Sequence, residues 1–455
     1  MATESGQIAW RKVLAVVLAA ALLLVLAGPF LLRREEAGAG GKLTIISPHS
    51  ETIEDEFERA FSDWMIETDG RSVGIEWLDL GGTTQAIKFV QDQFERSPDG
   101  IKVDVFFGGG ADPFLQFGKK GLLHRCNIPE DILARIPRTH AGTELYDEDQ
   151  RWFGACMSGF GILYNKQLLT TLKLPEPATW ADLGRPDYFT WVASADPRQS
   201  GSMHMLYEII LQAYGWDEGW GHIVRIGANS RSFSRAASDV PKEVAIGEAA
   251  CGMAIDYYAL QTVAETGADR MGFVLPQKLT VVNPDGIGVL KGAPNAELAE
   301  LFVQFVLSER GQRLWMLRKG APGGPKEHQL YRLPVIPGMV EKYGQDSVVQ
   351  VDPFKFEGGF AFDLEKKNSR WGILNDLLGA CIIDVHDELA KAWEALRALP
   401  EDRPRTRLLL APPVSENELL EMARQKWDDP GFRADTIAAW SRRASETYRE
   451  AAGGK

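Results

Sequence analysis

Three apolar segments, 42–47 (KLTIIS), 73–80 and 103–107, each run straight into a loop of Gly, Ser, Thr or His. After the first, Ile53, Phe57, Ala60, Phe61 and Trp64 recur at spacings of three and four; after the second, Gly81, Gly82, Thr83 and Thr84 lead to Ile87, Val90 and Phe94; after the third come Gly108, Gly109 and Gly110. Spacing of three and four is that of an amphipathic helix, and a short apolar run bounded by turn residues is that of a buried strand. Strand alternating with helix predicts an α/β fold with parallel sheets covered on both faces. The loops after such strands gather at one edge, where open α/β sheets bind ligands.

Further on, 152–164 reads as extended chain, and 188–194 (YFTWVAS) as a strand entering a loop that holds Arg198, Ser200, Gly201 and Ser202. A helix follows, with Ser200 or Ser202 as its N-cap. A helix over 241–249, strands over 252–256 and 272–275 and a return crossing over 281–289 come next. A single amphipathic helix is expected over 296–318. Trp371, Leu374, Leu378, Cys381, Ile382, Val385, Leu389 and Trp393 form one long helical stripe, and Ser415 with Glu418 makes a capping box.

Ahead of all this, residues 13–32 (VLAVVLAAALLLVLAGPFLL) carry no charge. About 20 apolar residues span a hydrocarbon core, and the run is longer than the h-region of a cleaved signal, which favours an uncleaved transmembrane anchor. The expected order is a cytoplasmic tail 1–12, the anchor 13–32, a linker 33–42 and then a body placed outside the cytoplasm at the cell membrane. Of the net charge of −13, the first 42 residues hold a small basic excess, so the body is more acidic still. Such a surface repels phosphate backbones, and nucleic acid is not expected as a partner. The four cysteines are widely spaced with no C-x-x-C, which leaves disulfides open and speaks against a zinc or redox motif.

No phosphate-loop, nucleophile-elbow or zinc-protease motif occurs, and no two of the seven histidines fall three to five apart. The chemistry left is a set of polar loops at helix starts. Ser47 and His49, Thr83 and Thr84, Gly109 and Gly110, and Ser200, Gly201 and Ser202 each present hydroxyls or free amides that suit an anion or a polar group, and each also reads as ordinary capping. Asp256, Tyr257 and Tyr258 follow a buried strand; a carboxylate with phenols suits a hard ion such as Fe3+, whereas packed tyrosines need no ligand. An enzyme using Asp256 or His49 as general base, or a sensor module, are the rival readings.

In order and spacing, LTIISPH, VDVFFGGGADPF with KKGLL, GFGILYNKQLL, LPEPATWADL, DPRQSGSMHM, GEAACGMAIDYYAL and NPDGIGVLKGAPNAELAELFVQFVLSERGQ resemble the extracellular solute-binding proteins of ABC importers, in the branch that holds ferric-ion, phosphonate and phosphorylated-sugar binders. The resemblance covers about 43–399. It implies a two-lobed type II periplasmic-binding-protein fold, with a first lobe over 43–150 that resumes over 283–399, a second lobe over 151–282, and a helical C-terminal extension over 400–455. It further implies a monomeric receptor that binds a small solute between its lobes, hands it to an ABC permease, and needs no cofactor. In ferric-binding relatives a His after the first strand and a Tyr pair hold the metal, and His49, Tyr257 and Tyr258 stand at matching places. Those relatives also supply a Glu where this sequence has Gly109 and Gly110. The glycine loop and the Ser-Gly-Ser segment fit the anion binders better, so an oxyanion-bearing solute is favoured over Fe3+ as transported ligand. Asp285, near the return crossing, is a further candidate contact.

Overall fold

A computed structural model describes residues 41–140, 143–349, 351–355, 360–399 and 404–453. The expected tail and anchor, and most of the linker, lie outside the described residues. Among the described residues no helix is long and apolar enough to cross a membrane.

The strands are β1 (Lys42–Ile46), β2 (Gly74–Leu78), β3 (Val105–Phe107), the short pair β4 (Thr139–His140) and β5 (Thr143–Glu144), β6 (Phe153–Asn165), β7 (Val192–Ala195), β8 (Ser230–Ser234), β9 (Cys251–Ile255), β10 (Met271–Val274) and β11 (Val282–Val289). Their order is β2-β1-β3-β11-β6-β9-β7-β8, with β10 also on β6. β1, β2 and β3 are parallel, as are β7, β8 and β9, but β11 and β6 run against their neighbours. The sheets are therefore mixed, not all parallel as expected, because the chain enters the second lobe on β6 and leaves it on β11.

β6 is what joins the halves. Phe153 to Gly159 pair with β11, whereas Phe160 to Tyr164 pair with β9, so one strand belongs to both sheets. All its residues are buried, as for a strand covered on both faces. In the first lobe one face of the sheet packs Phe57, Phe107, Phe302, Phe305 and Trp315, and the other packs Phe106, Phe114, Phe117 and Trp152.

The second lobe has one continuous core, built on Leu163, Trp180, Leu206, Trp220 and Met253. Leu374, Leu378, Trp393 and Leu396 lie in that same cluster, as do Trp440 and Tyr448. The helices over 364–396, expected to return with 283–399 to the first lobe, thus share their core with the second, and so does the C-terminal helical extension. The sequence pattern reveals an apolar stripe but not which apolar face it meets.

Two expected helices are broken. The stretch 296–318 divides into Ala296–Leu307 and Glu309–Met316, because the Ser308 hydroxyl accepts from the Gly311 N–H at 3.2 Å and donates to the Phe305 carbonyl at 2.6 Å. The long C-terminal stripe divides into Leu364–Leu378 and His386–Leu396 around a π turn, Gly379–Ile383. All four cysteines are free and buried.

Candidate functional site

Strand-to-helix turns from both lobes face one cavity with room for about 130 Å3. From the first lobe His49, Thr83, Gly109, Gly110 and Asp112 line it; from the second, Gly201, Ser202, Met205, Tyr257 and Tyr258; from the joining strands, Ser158, Asn283 and Asp285. The helices Glu51–Asp69, Thr83–Arg96, Asp112–Lys119, Gly201–Tyr214 and Asp256–Thr266 all start at this cavity. The first two carry no side-chain cap bond at Ser50 or Gly82. Unfilled N–H groups and the positive ends of helix dipoles therefore converge here.

The glycine loop is required by its backbone: Gly108, Gly109 and Gly110 have φ of 103°, 84° and 79°, a region costly for residues with a Cβ. A Cβ on Gly109 would also lie 2.9 Å from Thr83 Cγ2. The bend lets the Gly110 N–H reach Asp285 Oδ1 at 2.7 Å. Asp285 stands at an irregularity in the β6–β11 register, between Asp285 and Gly286, and such bulges re-aim side chains. Its Oδ2 meets His49 Nε2 at 2.9 Å and accepts from Arg332 Nη1 at 2.7 Å.

This hub is a charge-compensated centre. Burial opposes ionisation of Asp285, but His49, Arg332 and the Gly110 amide outweigh it and hold the carboxyl well below its usual range. Burial in turn holds His49 below its ordinary value, against the pull of Asp285, and His49 Nδ1 is buried without a hydrogen-bond partner. Arg332 is 3% exposed, donates to Ser158 Oγ at 3.2 Å, and lies 3.8 Å over the Tyr257 ring, a cation–π contact. Arg332 was not anticipated: it lies in an irregular segment with no strand or helix periodicity to single it out.

Of the other expected contacts, Ser47 is 1% exposed and its hydroxyl accepts from the His49 N–H at 3.0 Å, so it shapes the turn instead of facing the cavity. Thr84 is exposed and does not line it. Ser200 caps its helix through the Met203 N–H at 3.3 Å. Asp256 is turned to backbone, accepting from Gly159 N–H at 2.6 Å and Tyr257 N–H at 2.8 Å; burial pushes its carboxyl up to about 7. Arg198, in the loop before the Gly201–Tyr214 helix, is held by Asp196 and Asp384 at 2.8 Å each. Tyr257 and Tyr258 do meet, ring centroids 4.2 Å apart, and burial followed by the neighbouring Tyr258 holds the Tyr257 phenol well above 10. Among the described residues no group of three His, Cys, Asp or Glu side chains is placed to hold a metal ion.

The family model of the bacterial extracellular solute-binding proteins matches residues 101–335. The phosphoglycerate transport regulatory protein PgtC of Salmonella typhimurium is 32% identical over 158 residues, which are 35% of this chain and 39% of that relative's length. The fructose-6-phosphate-bound periplasmic binding protein AfuA from Actinobacillus pleuropneumoniae superposes with a TM-score of 0.57 at 20% identity, over 79% of this chain and 99% of that one. Iron-bound HitA from Pseudomonas aeruginosa gives a TM-score of 0.52 at 20% identity, over 73% and 99%. At these identities the two structures speak to the fold, a two-lobed mixed α/β periplasmic-binding fold. With the family model covering more than half of its length, the chain belongs to the bacterial extracellular solute-binding proteins.

Proposed function

We propose that this protein is an extracytoplasmic receptor for an ABC importer that holds a small oxyanion-bearing solute between its lobes and releases it unaltered. One observation carries the reading: helix N-termini from both lobes converge on a single cavity whose wall includes the buried guanidinium of Arg332. Backbone N–H groups at helix starts bind anions without any charged side chain, and a guanidinium adds charge-assisted bonds in fixed directions. AfuA is bound to fructose-6-phosphate and PgtC is a phosphoglycerate transport regulatory protein, which supports the same solute class. Fe3+ fits less well. It would need phenolates from Tyr257 and Tyr258 together with a carboxylate, yet Gly109 and Gly110 stand where ferric binders supply a Glu, and burial raises the Tyr257 phenol above its ordinary value.

In this reading the first lobe runs over 43–150 and resumes at 283, the second runs over 151–282, and the helices from 364 onward extend the second. Residues 13–32 tether a monomeric receptor to the membrane beside its permease. His49, Thr83, Gly109, Gly110, Gly201, Ser202, Tyr257, Tyr258 and Arg332 contact the solute, while Asp285 holds His49, Gly110 and Arg332 in register. A ligand that binds only the folded state raises the melting temperature with its concentration. Melting the purified protein with phosphate, phosphonates, sugar phosphates, 3-phosphoglycerate and ferric citrate tests this. At least one phosphorus oxyanion is expected to raise the melting point. A shift by ferric citrate alone overturns the anion reading, and recovery of a chemically altered solute overturns the receptor reading.

A further inference from the structure

The helix Leu364–Leu378 is fastened to the second lobe. Arg370, 0% exposed, donates from Nη2 and Nε to the two carboxylate oxygens of Glu208 at 2.7 and 3.1 Å, and from Nη1 to Glu416 at 2.6 Å. One turn on, Asn375 Oδ1 lies 2.7 Å from His204 Nδ1. Bidentate guanidinium–carboxylate pairing fixes direction as well as position, so this helix moves with Glu208 and His204.

Its other face looks across the cavity. Leu364 and Trp371 line the cavity. The Trp371 indole lies over the first turn of the Gly201–Tyr214 helix, 3.6 Å from where a Cβ on Gly201 would stand, and against the His204 ring at 3.8 Å. Lys367, one turn earlier, is 1% exposed and ion-paired with Asp112 in the first turn of the Asp112–Lys119 helix of the first lobe. Its ammonium also lies 4.6 Å from the centre of the Trp371 ring. Asp112 lines the same cavity, and its Oδ1 is buried without a hydrogen-bond partner. A cation carried by the second lobe thus meets a carboxylate carried by the first, beside the place where solute would sit.

We propose that the Lys367–Asp112 ion pair is an interlobe clasp: the helix Leu364–Leu378 forms a third wall of the cavity, and the lobes separate only when this pair breaks. The clasp rests on the two-lobed reading of the cavity but not on the identity of the solute. A buried pair resists opening because each charge, once parted, has to be rehydrated or left uncompensated. Interfaces of this kind are bistable, which is how a local contact sets a whole-lobe equilibrium.

Hydrogen exchange of the full-length protein in detergent, read by mass spectrometry with no solute added, tests the clasp separately from any binding result. Lys367→Met and Asp112→Asn are each expected to speed exchange about tenfold or more at 108–112 in the first lobe and at 200–203 in the second. The core segment 205–213 should keep its protection. The double variant is expected to exchange no faster than the faster single variant, as for two ends of one contact. Lys367→Arg, which keeps the charge, is expected to stay within about twofold of the native protein. Unchanged exchange in the first lobe in the single variants, or effects that add in the double variant, overturns the clasp. If a single variant loses protection throughout, Lys367→Arg decides: loosening confined to 364–378 with the first lobe unaffected also overturns it.

Discussion

Asp285 answers to three donors, His49, Arg332 and the Gly110 amide, and each comes from a different part of the chain. Removing one member of a buried pair leaves the other charge uncompensated, at a cost of about 3–5 kcal/mol. Arg332→Met keeps much of the side-chain volume and removes the charge, so it is expected to lower the unfolding free energy by about that amount in urea titration. It should also abolish the melting shift given by whichever phosphorus oxyanion the native protein binds. A loss below about 1 kcal/mol would mean that Asp285 finds other partners. The sequence made Asp285 visible through its place near a return crossing, but not its role, because the bulge that turns it inward leaves no mark on the pattern. Arg332 was illegible for a related reason: its importance comes from what lies over it, Tyr257, and beside it, Ser158, both far away in sequence.

Among elements, β11 carries a tight steric demand beside the site. A methyl on Gly286 would overlap the Phe114 ring, and one on Gly288 would lie 2.9 Å from the Arg151 carbonyl oxygen. Gly286→Ala is therefore expected to cost about 1–3 kcal/mol, the range for overpacking a filled core. It should also weaken solute binding beyond that loss of stability, because Asp285 is the adjacent residue; thermal melting with and without solute separates the two effects. The strands were readable because alternation and apolar runs are local, and β1, β6, β9, β10 and β11 lie within a few residues of where the sequence puts them. The helix Trp216–Asn229 was not anticipated. Gly219, Gly221 and Gly227 lower its intrinsic propensity, yet two of them are packing devices: a Cβ on Gly219 would lie 2.9 Å from the Ile210 carbonyl oxygen, and one on Gly227 would overlap Ile382. Tertiary contact overrides propensity at those positions.

At the scale of the whole molecule, two lobes and a cavity between them were legible through the family resemblance, with which the polar loops recurring in both halves of the chain agree. That the C-terminal helices pack on the second lobe was not legible, since an amphipathic stripe does not name its partner. Burial of two titratable groups gives the protein two opposed responses to acid. His204 lies between the second-lobe core and the helix Leu364–Leu378; burial, then the nearby charge of Lys367, lowers its value from 6.5 to about 3. Between those values the unfolded chain takes up a proton that the folded protein refuses, so its contribution to stability is complete above pH 6.5 and is lost as pH falls toward 3. Asp256 works in the other direction. Burial raises its carboxyl from 3.8 to about 7, so the folded protein holds the proton more tightly, and this contribution is complete below pH 3.8 and lost as pH rises toward 7. In the native protein the two slopes oppose each other over pH 4 to 6.5. Melting temperatures of the native protein, His204→Gln and Asp256→Asn across pH 4 to 8 should separate them. The native-minus-His204→Gln difference is expected to rise with pH up to about 6.5, and the native-minus-Asp256→Asn difference to fall with pH up to about 7. Differences that are flat with pH would show that both groups titrate alike in the folded and unfolded chains.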